Sequence, residues 1–153
     1  SVAVLLVALA LGSIAQAQVP PSAAEIAAYR GLFAAAAQGD TEAVVRLAAG
    51  GADVKARDAH GRTPLHVAAF ARQRDAMRAL AKAGADPNAL ENDRYDIVTI
   101  AAVAGDVATL DVALAIGGKA TNVTSRYDGT ALIAAAHLGH AEVVRTLIAA
   151  RAP

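Results

Sequence analysis

The chain has no cysteine and no tryptophan, and only 3% of its 153 residues are aromatic. Without thiols there can be no disulfide, no thiolate nucleophile and no cysteine-ligated zinc, and the redox compartment is left open. So few rings beside 56% hydrophobic residues exclude a thick core filled by bulky groups, and packing must instead be thin. An excess of one charge is missing too: fourteen basic residues cancel fourteen acidic ones. Net charge therefore points neither to nucleic acid nor to an anionic membrane surface.

What is present begins with an apolar run. Val2 to Leu11 is almost unbroken Val, Ala and Leu, and Gly12 and Ser13 lead to Ala15-Gln16-Ala17. This reads as the apolar segment and small-residue cleavage site of a secretory signal peptide, residues 1–17, cut after Ala17. It predicts an exported, periplasmic protein with no membrane association after cleavage. A buried helix or a retained anchor is the alternative, although the run is shorter than the ~20 residues a bilayer core needs. The chain opens at Ser1 with neither an initiator methionine nor a basic leader, which reads as a truncated sequence. Residues 18–24 form a linker around Pro20-Pro21, and Ser22-Ala23-Ala24-Glu25 has the spacing of a capping box, so a helix is expected there.

Self-comparison then exposes a period. Ala35-Ala36, Ala68-Ala69, Ala101-Ala102 and Ala135-Ala136 recur at offsets of 33, 33 and 34, as do Leu32, Leu65, Val98 and Leu132. Gly39, Gly105 and Gly139 follow at the same step, with Arg72 as the exception, and a second helical pattern follows each. Each unit is two short helices and a turn. The string Gly61-x-Thr63-Pro64-Leu65-His66-x-Ala68-Ala69, followed by Gly84-Ala85-Asp86-x-Asn88-Ala89, resembles the ankyrin repeat over about residues 25–153. The resemblance implies an all-α solenoid of about four stacked helix-turn-helix units with projecting turns, at about 25–57, 58–90, 91–124 and 125–153. The last lacks a C-terminal cap, which leaves Val143, Val144, Leu147 and Ile148 as an uncovered apolar stripe.

Local chemistry fits that reading. Thr63 can cap a helix, Pro64 suits a first helical position that needs no N–H, and paired alanines let neighbouring helices approach closely. Asp96 and Thr130 can serve as caps in the third and fourth units, where the signature decays. The tripeptide Arg-Tyr-Asp occurs at 94–96 and 126–128, two positions out of register with the repeat. In ankyrin repeats a histidine at the place of His66 resembles a structural hydrogen-bonding group between units; Thr99 and Ile133 replace it elsewhere. His137 and His140 have metal-ligand spacing but fall in different elements, so neither a metal nor a cofactor is expected. Asp53, Asp86 and Asn88 read as turn residues, and Asn122-Val123-Thr124 matches a glycosylation sequon.

A binding surface is left. The projecting turns carry Arg57, His60 and Arg62, then Arg94 and Tyr95, then Arg126 and Tyr127, and arginine and tyrosine are enriched at interface hot spots. Solvated loop residues are the plain alternative. Phe70 is either an anchor on the same face or a packing residue. The predicted function is a non-enzymatic, protein-binding adaptor. The signal sequence with a short ankyrin array resembles small bacterial periplasmic ankyrin proteins, some of which support catalase in peroxide resistance; the resemblance implies such a partner. A segment of a larger ankyrin protein, or a small metal-dependent hydrolase, are the alternatives.

Overall fold

Ser22 starts a helix by satisfying backbone groups that a helix cannot satisfy itself. Its hydroxyl accepts the Glu25 N–H at 3.2 Å, and the Glu25 carboxylate accepts the Ser22 N–H at 2.8 Å. The resulting helix α1 (Ala23–Ala28) stops at Tyr29, where the backbone turns extended. The computed structural model describes residues 18–152. The segment read as a signal peptide, residues 1–17, lies outside the described residues.

Four helix pairs follow. They are α2 (Gly31–Gln38) with α3 (Thr41–Ala49), α4 (Pro64–Phe70) with α5 (Arg74–Lys82), α6 (Ile97–Val103) with α7 (Val107–Ala115), and α8 (Ala131–His137) with α9 (Ala141–Ala149). Asp40, Thr63, Asp96, Asp106 and Thr130 each cap a helix by accepting a backbone N–H three residues on. The first helices of the units stack α2–α4–α6–α8, and the second helices stack behind them as α3–α5–α7–α9. This is the expected all-α solenoid. One element is additional: a two-residue antiparallel ladder, β1 (Val123–Thr124) with β2 (Gly129–Thr130), shapes the last turn.

The core is as thin as the composition requires. Ala36, Ala68, Ala101, Ala102 and Ala135 are buried along the first helices, and their single methyl groups set a short distance between stacked units. Val44, Met77, Leu80, Leu110 and Leu147 fill the space from the second helices. A linear array of this kind buries its apolar surface between neighbours, with no need of aromatic rings. The stripe expected on α9 is corrected here: Val143 and Leu147 are buried, while Ile148 remains 59% exposed. At helical spacing those two face α8 and α7, with which α9 packs.

Candidate functional site

The turns between units project as fingers from the edge of the first helices. Gly61, Arg94 and Asp128 occupy one register of successive fingers, and all three are left-handed, with φ of 71°, 66° and 54°. In the first of these fingers Asp58 accepts the N–H groups of His60 and Arg62, which tightens the turn. Arg62 then folds inward. Its Nε lies 2.7 Å from Asp58 Oδ2, its Nη2 lies 2.6 Å from Glu25 Oε1, and its Nη1 donates to the Val19 carbonyl at 3.1 Å. Its side chain is 0% exposed, which corrects the expectation of a surface contact: acceptors from three segments converge on one guanidinium and leave it no free donor face. The Tyr29 hydroxyl also donates to Asp58 Oδ2, at 2.7 Å. Burial works against the Asp58 carboxylate, but the bonds from Tyr29 and Arg62 outweigh it and hold Asp58 below its ordinary range. Burial and the same Asp58 contact push the Tyr29 phenol up.

Two other residues of this finger are also engaged. His60 lies 3.2 Å from Glu25, and Arg57, although exposed, donates to the carbonyls of Gly61 and Leu90 at 2.7 Å each. His66 ties its helix to the loop that leads into the next unit. Its Nδ1 accepts the Thr63 N–H at 3.0 Å, so the other nitrogen carries the proton and donates to the Ala89 carbonyl at 2.9 Å. Burial holds this imidazole below its usual range, and protonation would turn the Thr63 acceptor into a competing donor.

The second and third of these fingers are braced against each other. Arg94 pairs with Asp128 at 2.9 Å, and Arg126 pairs with Asp93. The two-position slip between the Arg-Tyr-Asp copies is what makes this possible, because each arginine meets an aspartate of the other finger. Tyr95 is a second correction: it is 5% exposed, its N–H donating to Glu91 Oε1 at 2.8 Å. Burial raises the Glu91 carboxyl and the Tyr95 phenol. Phe70 is half-buried and packs against the core. Tyr127 differs from all of these, with 78% of its surface in solvent.

Between these two fingers, α6 and α8 lies a groove of about 380 Å³. Tyr95, Val103, Tyr127, Ile133 and Leu138 give it apolar walls, and Thr99 and Thr124, whose hydroxyls are 2.8 Å apart, line it too. Ile133 is 60% exposed and was missed as a site residue, yet a signal existed. His66, Thr99 and Ile133 share one repeat position; the first two bond across to a neighbouring loop, and an isoleucine has no group to do so. A larger groove, about 690 Å³, runs between α3 and α5 on the other helix layer and contains no aromatic residue. His137 ends α8 whereas His140 precedes α9 and contacts the Val103 carbonyl at 3.1 Å. Among the described residues no group of three or more His, Asp or Glu could hold a metal ion. The sequon nitrogen Asn122 Nδ2 is already bonded to Asn88 and Asp96, at 2.9 Å each.

Ankyrin repeat models match residues 8–91, as an array of three copies, and residues 127–153, as a single repeat. The chain belongs to the ankyrin repeat family. The match begins inside the stretch read as a signal peptide, and the unmatched residues 92–126 include the third unit, where the Thr-Pro-Leu-His signature is absent. Inversin of Gallus gallus is 37% identical over 89 residues, 58% of this chain and 8% of inversin. The putative ankyrin repeat protein YahD of Escherichia coli strain K12 is 30% identical over 115 residues, 75% of this chain and 57% of YahD. The chain thus spans less than two thirds of either relative's length. Ankyrin repeats mark it as a protein–protein interaction module.

Proposed function

We propose that this ankyrin chain is a non-enzymatic, exported adaptor that holds another protein in the groove between its second and third fingers. The observation that carries the reading is the exposed Tyr127 ring at the rim of an apolar groove, beside the exposed Ile133. An aromatic anchor next to a desolvatable apolar surface is the usual centre of a protein interface. Arg62 is buried, and Arg57, Arg94 and Arg126 bond neighbouring groups while still exposed, so the apolar contact falls to Tyr127, Ile133 and Leu138. Export rests on the Val2–Ala17 segment. An exported enzyme such as a catalase is the partner class to test first, a choice that rests on the resemblance to small periplasmic ankyrin proteins. A second reading, a segment of a longer ankyrin protein, is favoured by the 57% and 8% shares of the relatives that the chain spans.

The test is capture of partners from the periplasm of the native host by the chain and by Tyr127→Ala. We expect Tyr127→Ala to lose about 2 kcal/mol of binding, some thirty-fold, while its unfolding midpoint is unchanged because the ring touches little. Equal capture by both chains would overturn the site. Purified catalase gives the finer answer: failure to bind removes that partner and leaves the groove in place.

A further inference from the structure

Gln18 lines the groove beside Tyr95, Thr99 and Ile133, and it is the one lining residue that precedes α1. Its amide nitrogen, Nε2, is sealed from solvent and has no hydrogen-bond partner among the described residues. A covered donor without a partner is an energetic cost, and one in a native fold calls for an explanation. The residues after Gln18 fix its place. The Val19 carbonyl accepts from Arg62 Nη1 at 3.1 Å, and Pro20 and Pro21 lead to the start of α1, which Ser22 and Glu25 cap.

The sequence supplies a chemical reason. On the export reading the chain is cut after Ala17 of Ala15-Gln16-Ala17, so that Gln18 becomes the first residue and gains a free α-amino group. Attack of that nitrogen on its own Cδ closes a five-membered ring, and with both groups on one residue the encounter is intramolecular. An α-amine with its ordinary pKa of about 8 is neutral and nucleophilic for roughly a tenth of the time at pH 7. We propose that the mature chain begins with a pyroglutamyl ring formed from Gln18, and that this neutral lactam is part of the groove wall. The α-nitrogen bonds to Cδ, the Cδ–Nε2 bond breaks, a proton passes from the α-nitrogen to Nε2, and ammonia leaves. The nitrogen that has no partner is the one that is lost. The ammonium charge that cleavage would otherwise place beside Tyr95 and Ile133 is lost with it, so the wall stays uncharged. The proposal rests on the export reading and adds a modified residue to the site read as the partner groove.

The test is the N-terminal peptide of the protein isolated from its native host. Free amines are labelled before trypsin is added, so that ring closure during work-up is not counted. Trypsin should release residues 18–30, ending at Arg30, as a peptide lighter by one ammonia than its sequence and carrying no amine label. Gln18→Asn supplies the control: its shorter side chain could close only a four-membered ring, so the same peptide should appear at full mass with the label attached. A labelled, full-mass peptide starting at Gln18 in the native chain would overturn the ring and leave the export reading standing. A first peptide that begins at any other residue would remove the cut after Ala17, and the ring with it. Neither result involves Tyr127→Ala, so the groove keeps its separate test.

Discussion

His66 shows how a residue with the look of a catalytic group becomes structural. One ring nitrogen accepts from Thr63 and the other donates to Ala89 across to the following loop, so the neutral imidazole is the form that fits. The consequence is a pH dependence with a definite sign. The unfolded chain takes up the proton near the ordinary histidine value of about 6.5, whereas the buried ring takes it only at lower pH. The unfolded state therefore binds more protons in that window. The stabilisation is complete above about pH 6.5 and is lost as the pH falls below it. Urea midpoints should drop between pH 7.5 and pH 5.5, well above the range near 4 where Glu25, Asp58 and Asp106, all held low, would contribute. His66→Ala should cost about 2 kcal/mol by leaving two backbone groups unpaired, and its midpoint should depend less on pH across the same window. An unchanged slope would mean that His66 titrates alike in both states.

One element carries strain that can be relieved, and another carries a brace that can be cut. The position after each first helix is left-handed: Gly39, Gly105 and Gly139 adopt φ of 71°, 66° and 76° there, but the second unit has Arg72 at 57°. A side chain in that region costs about 1–2 kcal/mol, and glycine gives part of this back through its freer unfolded state. The Arg72 pairing with Asp106 is long, at 3.6 Å, and its arginine is 59% exposed, so it adds little. Arg72→Gly should thus stabilise the protein by about 0.5–1 kcal/mol, raising Tm by a few degrees; a fall in Tm would show that the ion pair matters more than the backbone. The finger brace is of another kind. Its arginines are solvent-exposed, so Arg94→Ala with Arg126→Ala should leave global unfolding almost unmoved. The order parameter of the Tyr127 amide should fall instead, from near ~0.85 towards ~0.6. If Tyr127 stays rigid, the β1–β2 ladder alone holds the finger.

At the scale of the molecule, stability is nearest-neighbour in character. Each helix pair packs on the next, and α4–α5 and α6–α7 are the pairs covered on both sides. Amide exchange should be slowest at Leu65, Leu80 and Leu110 and faster in α1 and α9, where opening exposes one interface rather than two. Uniform protection from α1 to α9 in a monomer would mean that the array unfolds only as a whole.

Repeat period, helix pairs, caps and alanine-lined stacking were all legible in the residues, because each depends on contacts within one unit or between identical positions of adjacent units. A short-range rule repeated four times needs no knowledge of the fold. The site was legible only in outline. Arginine and tyrosine were counted as surface because fingers project, but exposure depends on which groups of other segments come near. Arg62 is buried by Glu25 of α1 and the Val19 carbonyl, and Tyr95 is buried too, whereas Arg94 and Arg126 stay exposed while pairing with aspartates of the opposite finger. The Arg62 contacts join residues 37 and 43 positions apart, off the repeat period, whereas the finger pairs span 34 and 33 positions, the repeat step itself. Tertiary structure alone decided that Tyr127 stays free, that Ile133 faces a groove and that Gln18 reaches it, since burial is a property of the assembled surface and not of any residue on it.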